Sequence, residues 1–178
     1  MTAVSERLAD RSTESGVIPL AEAEQFVYRE ARLSDAHDYD GWEALWTDDA
    51  IYWVPAGGES AEDPTTQVSV LFDNRSRIGT RIRQLKSGKR HSQIPRSNVV
   101  HSITNVEILG LHENGDTEVG AALLAVECRE RGTVLWAGRV EYRLRRVSID
   151  GRDEIKLSWK KVTLVDRDMP LYTLSFLI

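Results

Sequence analysis

The spacing of apolar residues along the chain changes once, from helical to alternating. In residues 20–36, Ala23, Phe26, Val27 and Leu33 fall near one helical face. Glu22 and Glu24 stand in the first turn, where the helix dipole favours acidic side chains. Asp38 or Asp40 is placed to cap a second, short helix in which Trp42, Leu45 and Trp46 share a face. AIYWVP reads as a short strand stopped by Pro55, GGESAEDPTT as a loop and QVSVLF as another short strand. Residues 74–87 are helical again: Ile78, Ile82 and Leu85 are spaced i, i+4, i+7, and Gly88 is positioned to end the helix.

After that the period is two. VVHSITNVEIL, VGAALLAVECRE, TVLWAGRVEYRLRR, IKLSWKKVTLVD and LYTLSFLI are five strand candidates in succession. In the third, Val134, Trp136, Val140, Tyr142 and Leu144 share one face, and Arg139, Glu141, Arg143 and Arg145 the other. In the last, Tyr172, Leu174, Phe176 and Ile178 alternate with Leu171 and Leu177, and no charge follows Asp168. That strand must be buried, in its own sheet or against a partner. HENGDT is a turn, and Asp150-Gly151 lies within a longer connection. Helices followed by antiparallel strands define an α+β fold. Long strands with one wet face coil, and the N-terminal helices can fill the concave side, which gives a cone.

Composition narrows the function. The 178 residues fit a single domain, residues 18–178, preceded by a polar flexible tail, residues 1–17, with no apolar signal core. The net charge of −5 argues against a nucleic-acid or anionic-membrane partner. No apolar run approaches the ~20 residues of a membrane span. One cysteine, Cys128, allows no internal disulfide and fits a reducing cytoplasm. The same count means the chain by itself cannot supply the two Cys and two His of a Rieske cluster. In VGAALLAVEC, Cys128 reads as a small buried apolar group. Five tryptophans are more than one cone holds easily, so some are expected at subunit contacts.

Four segments carry a resemblance. FVYREARLSDAHDYDGWEALWTDDAIYWVP, HSITNV, WAGRVEYRLRR and KKVTLVDRDMPLYTLSFLI, in that order over residues 22–178, resemble the beta subunits of Rieske-type aromatic-ring-hydroxylating dioxygenases. EDPTTQVSVLFDNR looks most like the benzoate and anthranilate branch. The ending departs from the family, whose members often finish in paired phenylalanines; here it is Phe176-Leu177-Ile178. The resemblance implies a cystatin-like cone of the nuclear transport factor 2 type. It implies no metal or cofactor on this chain. Its partner would be a larger alpha subunit holding a Rieske [2Fe-2S] cluster and a mononuclear Fe(II). The assembly would be three large and three small chains, with the small chains forming a trimer. The reaction would be that of an oxidoreductase: both atoms of O2 added to an aromatic ring to give a cis-dihydrodiol, with NADH-derived electrons. The substrate pocket would be built mainly by the large chain.

Against that stands a second reading, a stand-alone cone-fold dehydratase or isomerase. His101 shares a strand face with Ile103 and Asn105 that could point into the cone. Asp35, at the end of the first helix, with Tyr28 two turns earlier, could complete an acid–base dyad. The plainer reading makes His101 a buried, hydrogen-bonded residue that keeps sheet and helix in register. His37 and His112 lie in polar turns and His91 in a basic loop, none at metal-ligand spacing. Arg75, Arg77, Arg81, Arg83, Lys86, Lys89 and Arg90 form a basic run. It reads as a solvated face, a patch for an acidic neighbour or, least, a nucleic-acid surface.

Overall fold

The structure, a computed structural model, describes residues 16–57, 63–89, 95–130, 132–171 and 173–178. Most of the expected tail, residues 1–15, and also Arg90, His91 and Tyr172, lie outside the described residues. Helix α1 (Leu20–Asp35) buries Ala23, Phe26, Val27, Glu30, Ala31 and Ser34. The short helix α2 (Tyr39–Glu43) is capped by Asp38, whose side chain accepts the Gly41 N–H at 3.0 Å. Strands β1 (Trp46–Pro55) and β2 (Ser69–Asn74) precede helix α3 (Arg75–Lys86), whose cap is the Asn74 side chain on the Arg77 N–H at 3.0 Å. Then come β3 (Asn98–Leu111), β4 (Thr117–Arg129), β5 (Gly132–Ile149) and β6 (Arg152–Leu164).

These strands make one six-stranded sheet in the order β2-β1-β6-β5-β4-β3. β3 to β6 are an antiparallel meander, and β1 joins β6 in parallel. Asp150 and Gly151, with φ of 51° and 75°, form a two-residue turn between β5 and β6. The expected longer connection is therefore a tight hairpin of the kind that matches strand twist. Gly138 is needed where β5 and β6 approach closely, since a Cβ there would stand 2.5 Å from the Thr163 carbonyl oxygen.

The basic face of α3 folds back onto the chain's own acids. Arg75 pairs with Glu43 at 2.8 Å, Arg81 with Asp73 at 2.6 Å and Lys86 with Asp40 at 2.6 Å. Four of the five tryptophans, Trp42, Trp46, Trp53 and Trp136, are buried within this one chain. The expectation of a surplus for subunit contacts is thus overturned. Trp42 and Trp46 stack with Tyr52 inside the cone, while Trp53 meets Trp159 edge-on. Cys128, expected inside, is exposed. Alternation along β4 puts Ala125 and Glu127 inward and Cys128 outward.

The last segment is not a strand. β6 already has β1 on one side and β5 on the other, so a segment that follows it directly has no free edge beside it. Residues 174–178 instead turn into the cone and are buried there. Ser34 donates to the Leu177 carbonyl at 2.8 Å. The Tyr52 hydroxyl donates to the Ile178 oxygen at 2.5 Å and accepts the Ile178 N–H at 2.9 Å. These bonds replace the ladder that a strand would have had. Tyr52→Phe removes a donor and an acceptor at once, and is expected to lower unfolding free energy by about 1–3 kcal/mol in urea titration.

At the sheet's other end Asp116 ties three elements together. Its buried carboxylate accepts from Arg145 at 2.7 and 2.9 Å, from Ser158 at 2.5 Å and from Asn114 at 3.0 Å. Burial alone would raise this carboxyl, but the hydrogen bonds from Arg145, Ser158 and Asn114 outweigh it and hold it below the ordinary range. Such a group stabilises the fold fully above the unfolded value of ~3.9, and the contribution is lost as pH falls through the lower native value. Urea titrations between pH 6 and 3 are expected to show a steeper loss of stability for the native chain than for Asp116→Asn.

Candidate functional site

The end of α1 meets the outermost strand of the meander. Both Asp35 carboxylate oxygens accept the His101 backbone N–H at 3.1 Å, and Oδ1 lies 2.6 Å from His101 Nδ1. β3 is an edge strand paired only to β4, so this N–H has no neighbouring strand to meet. The Asp35 side chain stands in for one. The dyad partners named from sequence are therefore brought together, through the backbone as well as the ring.

The His101 side chain is only 3% exposed and that of Asp35 24%. Asp35 faces a shallow pocket of about 300 Å³ lined by Tyr28, Ala31, Arg32, Asp35, His101, Ser102 and Ile103. Tyr28 is 41% exposed there, and no hydrogen bond links it to the pair among the described residues. Across the imidazole ring, Nε2 is buried without a hydrogen-bond partner. The Phe176 ring stands 5.8 Å from His101 and 5.7 Å from Trp136, edge-on to the latter. An acid–base dyad must offer a nitrogen to its substrate. Here the ring is packed between α1 and the buried segment 174–178. Asn105, expected beside His101 and Ile103, leaves that face. It sits at a break in the β3–β4 register with φ of 53° and is exposed.

Two buried polar centres were missed by sequence reasoning. Glu30 accepts from Trp42 Nε1 at 2.5 Å and from Lys160 Nζ at 2.8 Å. Lys160 lies over the rings of Tyr52 and Tyr142, 5.7 Å from each centroid. Burial pushes both phenols above their ordinary range, and the Glu30 charge adds to it. The signal was present: Glu30 falls on the buried stripe of α1, and Lys160 alternates with Val162 and Leu164. In the second centre the fully buried Glu127 accepts from Arg129, from Trp136 Nε1 at 3.1 Å and from Ser175 at 3.4 Å. Arg129 also donates to the Thr173 carbonyl at 3.2 Å, which anchors the buried segment.

His37 contacts the Tyr39 hydroxyl at 3.3 Å, and His112 contacts Asn114 at 3.0 Å. Both are turn contacts. Among the described residues no group of three or more His, Cys, Asp or Glu is placed to hold a metal ion. Residues 29–170 match the family described as ring hydroxylating beta subunit.

The chain belongs to that family. Its cone is the family's fold: it covers 83% of this chain and 91% of the beta subunit of benzoate 1,2-dioxygenase from Burkholderia mallei, with a TM-score of 0.68 and 24% identity. The small oxygenase component of the p-cumate 2,3-dioxygenase system of Pseudomonas putida is 30% identical over 136 residues, 74% of this chain and 72% of that one. Toluate 1,2-dioxygenase subunit beta of Pseudomonas putida is 34% identical over 88 residues, 47% of this chain. The match spans about half of that relative, 54%. His101→Ala is expected to cost about 1–3 kcal/mol by leaving Asp35 without its ring partner. Turnover per intact oxygenase complex is expected to hold within severalfold. A fall of several hundred-fold at unchanged melting and stoichiometry would restore the dyad reading.

Proposed function

We propose that this chain is the non-catalytic small subunit of an aromatic-ring-hydroxylating dioxygenase, supporting a larger alpha subunit that carries the chemistry. The observation that carries this is the family match over residues 29–170, from α1 through β6 and just beyond. The filled interior supports it: in place of an open pocket behind His101 the cone holds its own residues 174–178. The Rieske cluster and the mononuclear iron belong to the partner. There both atoms of O2 are added to an aromatic ring, with electrons drawn from NADH. The small chains form a trimer within an assembly of three large and three small chains. Placement in the cytoplasm accords with the single cysteine, and among the described residues no helix is long and apolar enough to cross a membrane.

The test is reconstitution. Purified alone, the chain is expected to be colourless and free of iron by mass spectrometry. Mixed with the large subunit, it is expected to enter an equimolar complex and to raise the yield of active oxygenase. Near-stoichiometric iron in the isolated chain, or dehydratase turnover without a partner, would overturn the reading.

A further inference from the structure

The outer face of the meander is divided in two. Toward one end, Val100 of β3 lies opposite Val126 of β4, which lies opposite Leu135 of β5. In the next outward row Ser102, Leu124 and Ala137 are aligned, and the Val165 N–H bonds the Ala137 carbonyl at 2.9 Å. These side chains are open to solvent in the single chain: Val100 63%, Leu135 64%, Val165 73%, Leu124 45% and Val126 36%. No charged side chain stands within the two rows. A contiguous apolar block of this kind on a monomer marks a contact.

The other half of the same face is charged but balanced. Arg139 pairs with Glu107 at 3.4 Å, Lys161 with Glu141 at 3.2 Å and Arg143 with Glu118 at 3.1 Å. Each cation has its carboxylate, so the face is electrically neutral while the whole chain carries −5. Copies of an acidic chain repel one another, and a neutral face with an apolar block is where they approach at least cost. Strand addition along β3 is the other route to self-association, but at His101 that edge is occupied by Asp35. We propose that copies of this chain meet through the outer face of β3, β4 and β5, with Val100, Val126 and Leu135 at the centre of the contact. This rests on the reading of the chain as a small subunit that associates with itself, and adds the surface that does so.

Leu135→Asp in the full chain tests it, read by light scattering and melting temperature, alone and with the large subunit. The native chain is expected to be a trimer at micromolar concentration. The variant is expected to melt at the same temperature and to self-associate at least tenfold more weakly. Val68→Asp, at a site 77% exposed just ahead of β2 and far along the sheet from β3, is expected to leave the trimer intact. Should Leu135→Asp not fold, Val165→Asp gives the same reading from beyond the end of β6. Failure of both to fold would show that the monomer itself needs this face, and would overturn the proposal. A folded variant that stays trimeric overturns it, as does one that keeps the trimer and loses only the large subunit. A native chain that is monomeric alone yet binds the large subunit sinks this proposal and spares the small-subunit reading. A native chain that does neither sinks both.

Discussion

A sheet that coils encloses a volume, and the side chains lining that volume must be matched from within. In this chain α1 does most of the matching, and it does so partly with charge. Glu30 and Lys160 are both taken out of water, each paired with the other and flanked by Trp42, Tyr52 and Tyr142. A buried pair of this sort adds little net stability over an apolar replacement, but removing one partner costs about 3–5 kcal/mol. Its physical effect is to fix rotation: α1 can present Glu30 to Lys160 in only one register. The remainder of the volume is taken by Leu174, Phe176, Leu177 and Ile178, held through their backbone by Ser34 and Tyr52.

The same filling bears on function. A cone whose interior is occupied by its own chain presents its chemistry, if any, on the outside. The Asp35–His101 pair illustrates the difference. Two groups well suited to moving protons are present at 2.6 Å, yet the carboxylate also satisfies a backbone N–H at the edge of the sheet. A residue that holds an edge strand to a helix is constrained by that duty.

Much of this was legible before any coordinates. Three helices and the β3–β6 meander followed from periodicity, because each has one buried face and one wet one. Asp35 and His101 were paired correctly because a helix end and a strand face were both readable. The rest failed for identifiable reasons. In residues 171–178 nearly every side chain is apolar, so alternation there carries no information about which face is buried. Occupancy of both flanks of β6 by β1 and β5 is a fact of topology, and no local pattern encodes it. Asn105 defeated a strict period of two because a register break is needed where β3 bends against β4. Cys128 was assigned by residue type when strand parity should have decided it. Glu30 and Lys160 were visible as charges on apolar stripes, but as partners only once α1 lay against β6.

The parallel seam between β1 and β6 has a further consequence, in the order of assembly. Each hairpin of the meander closes between neighbouring segments, so β3 to β6 can form with little loop entropy to overcome. The seam is different: Thr47 and Leu157, which it brings together, are 110 residues apart in sequence. Contacts of such separation are expected to come late, after the meander has offered β6 as a template. Until then the flank of β6 that β1 will cover is an open edge. In the folding chain, the vulnerable species is a nearly complete cone missing its first two strands.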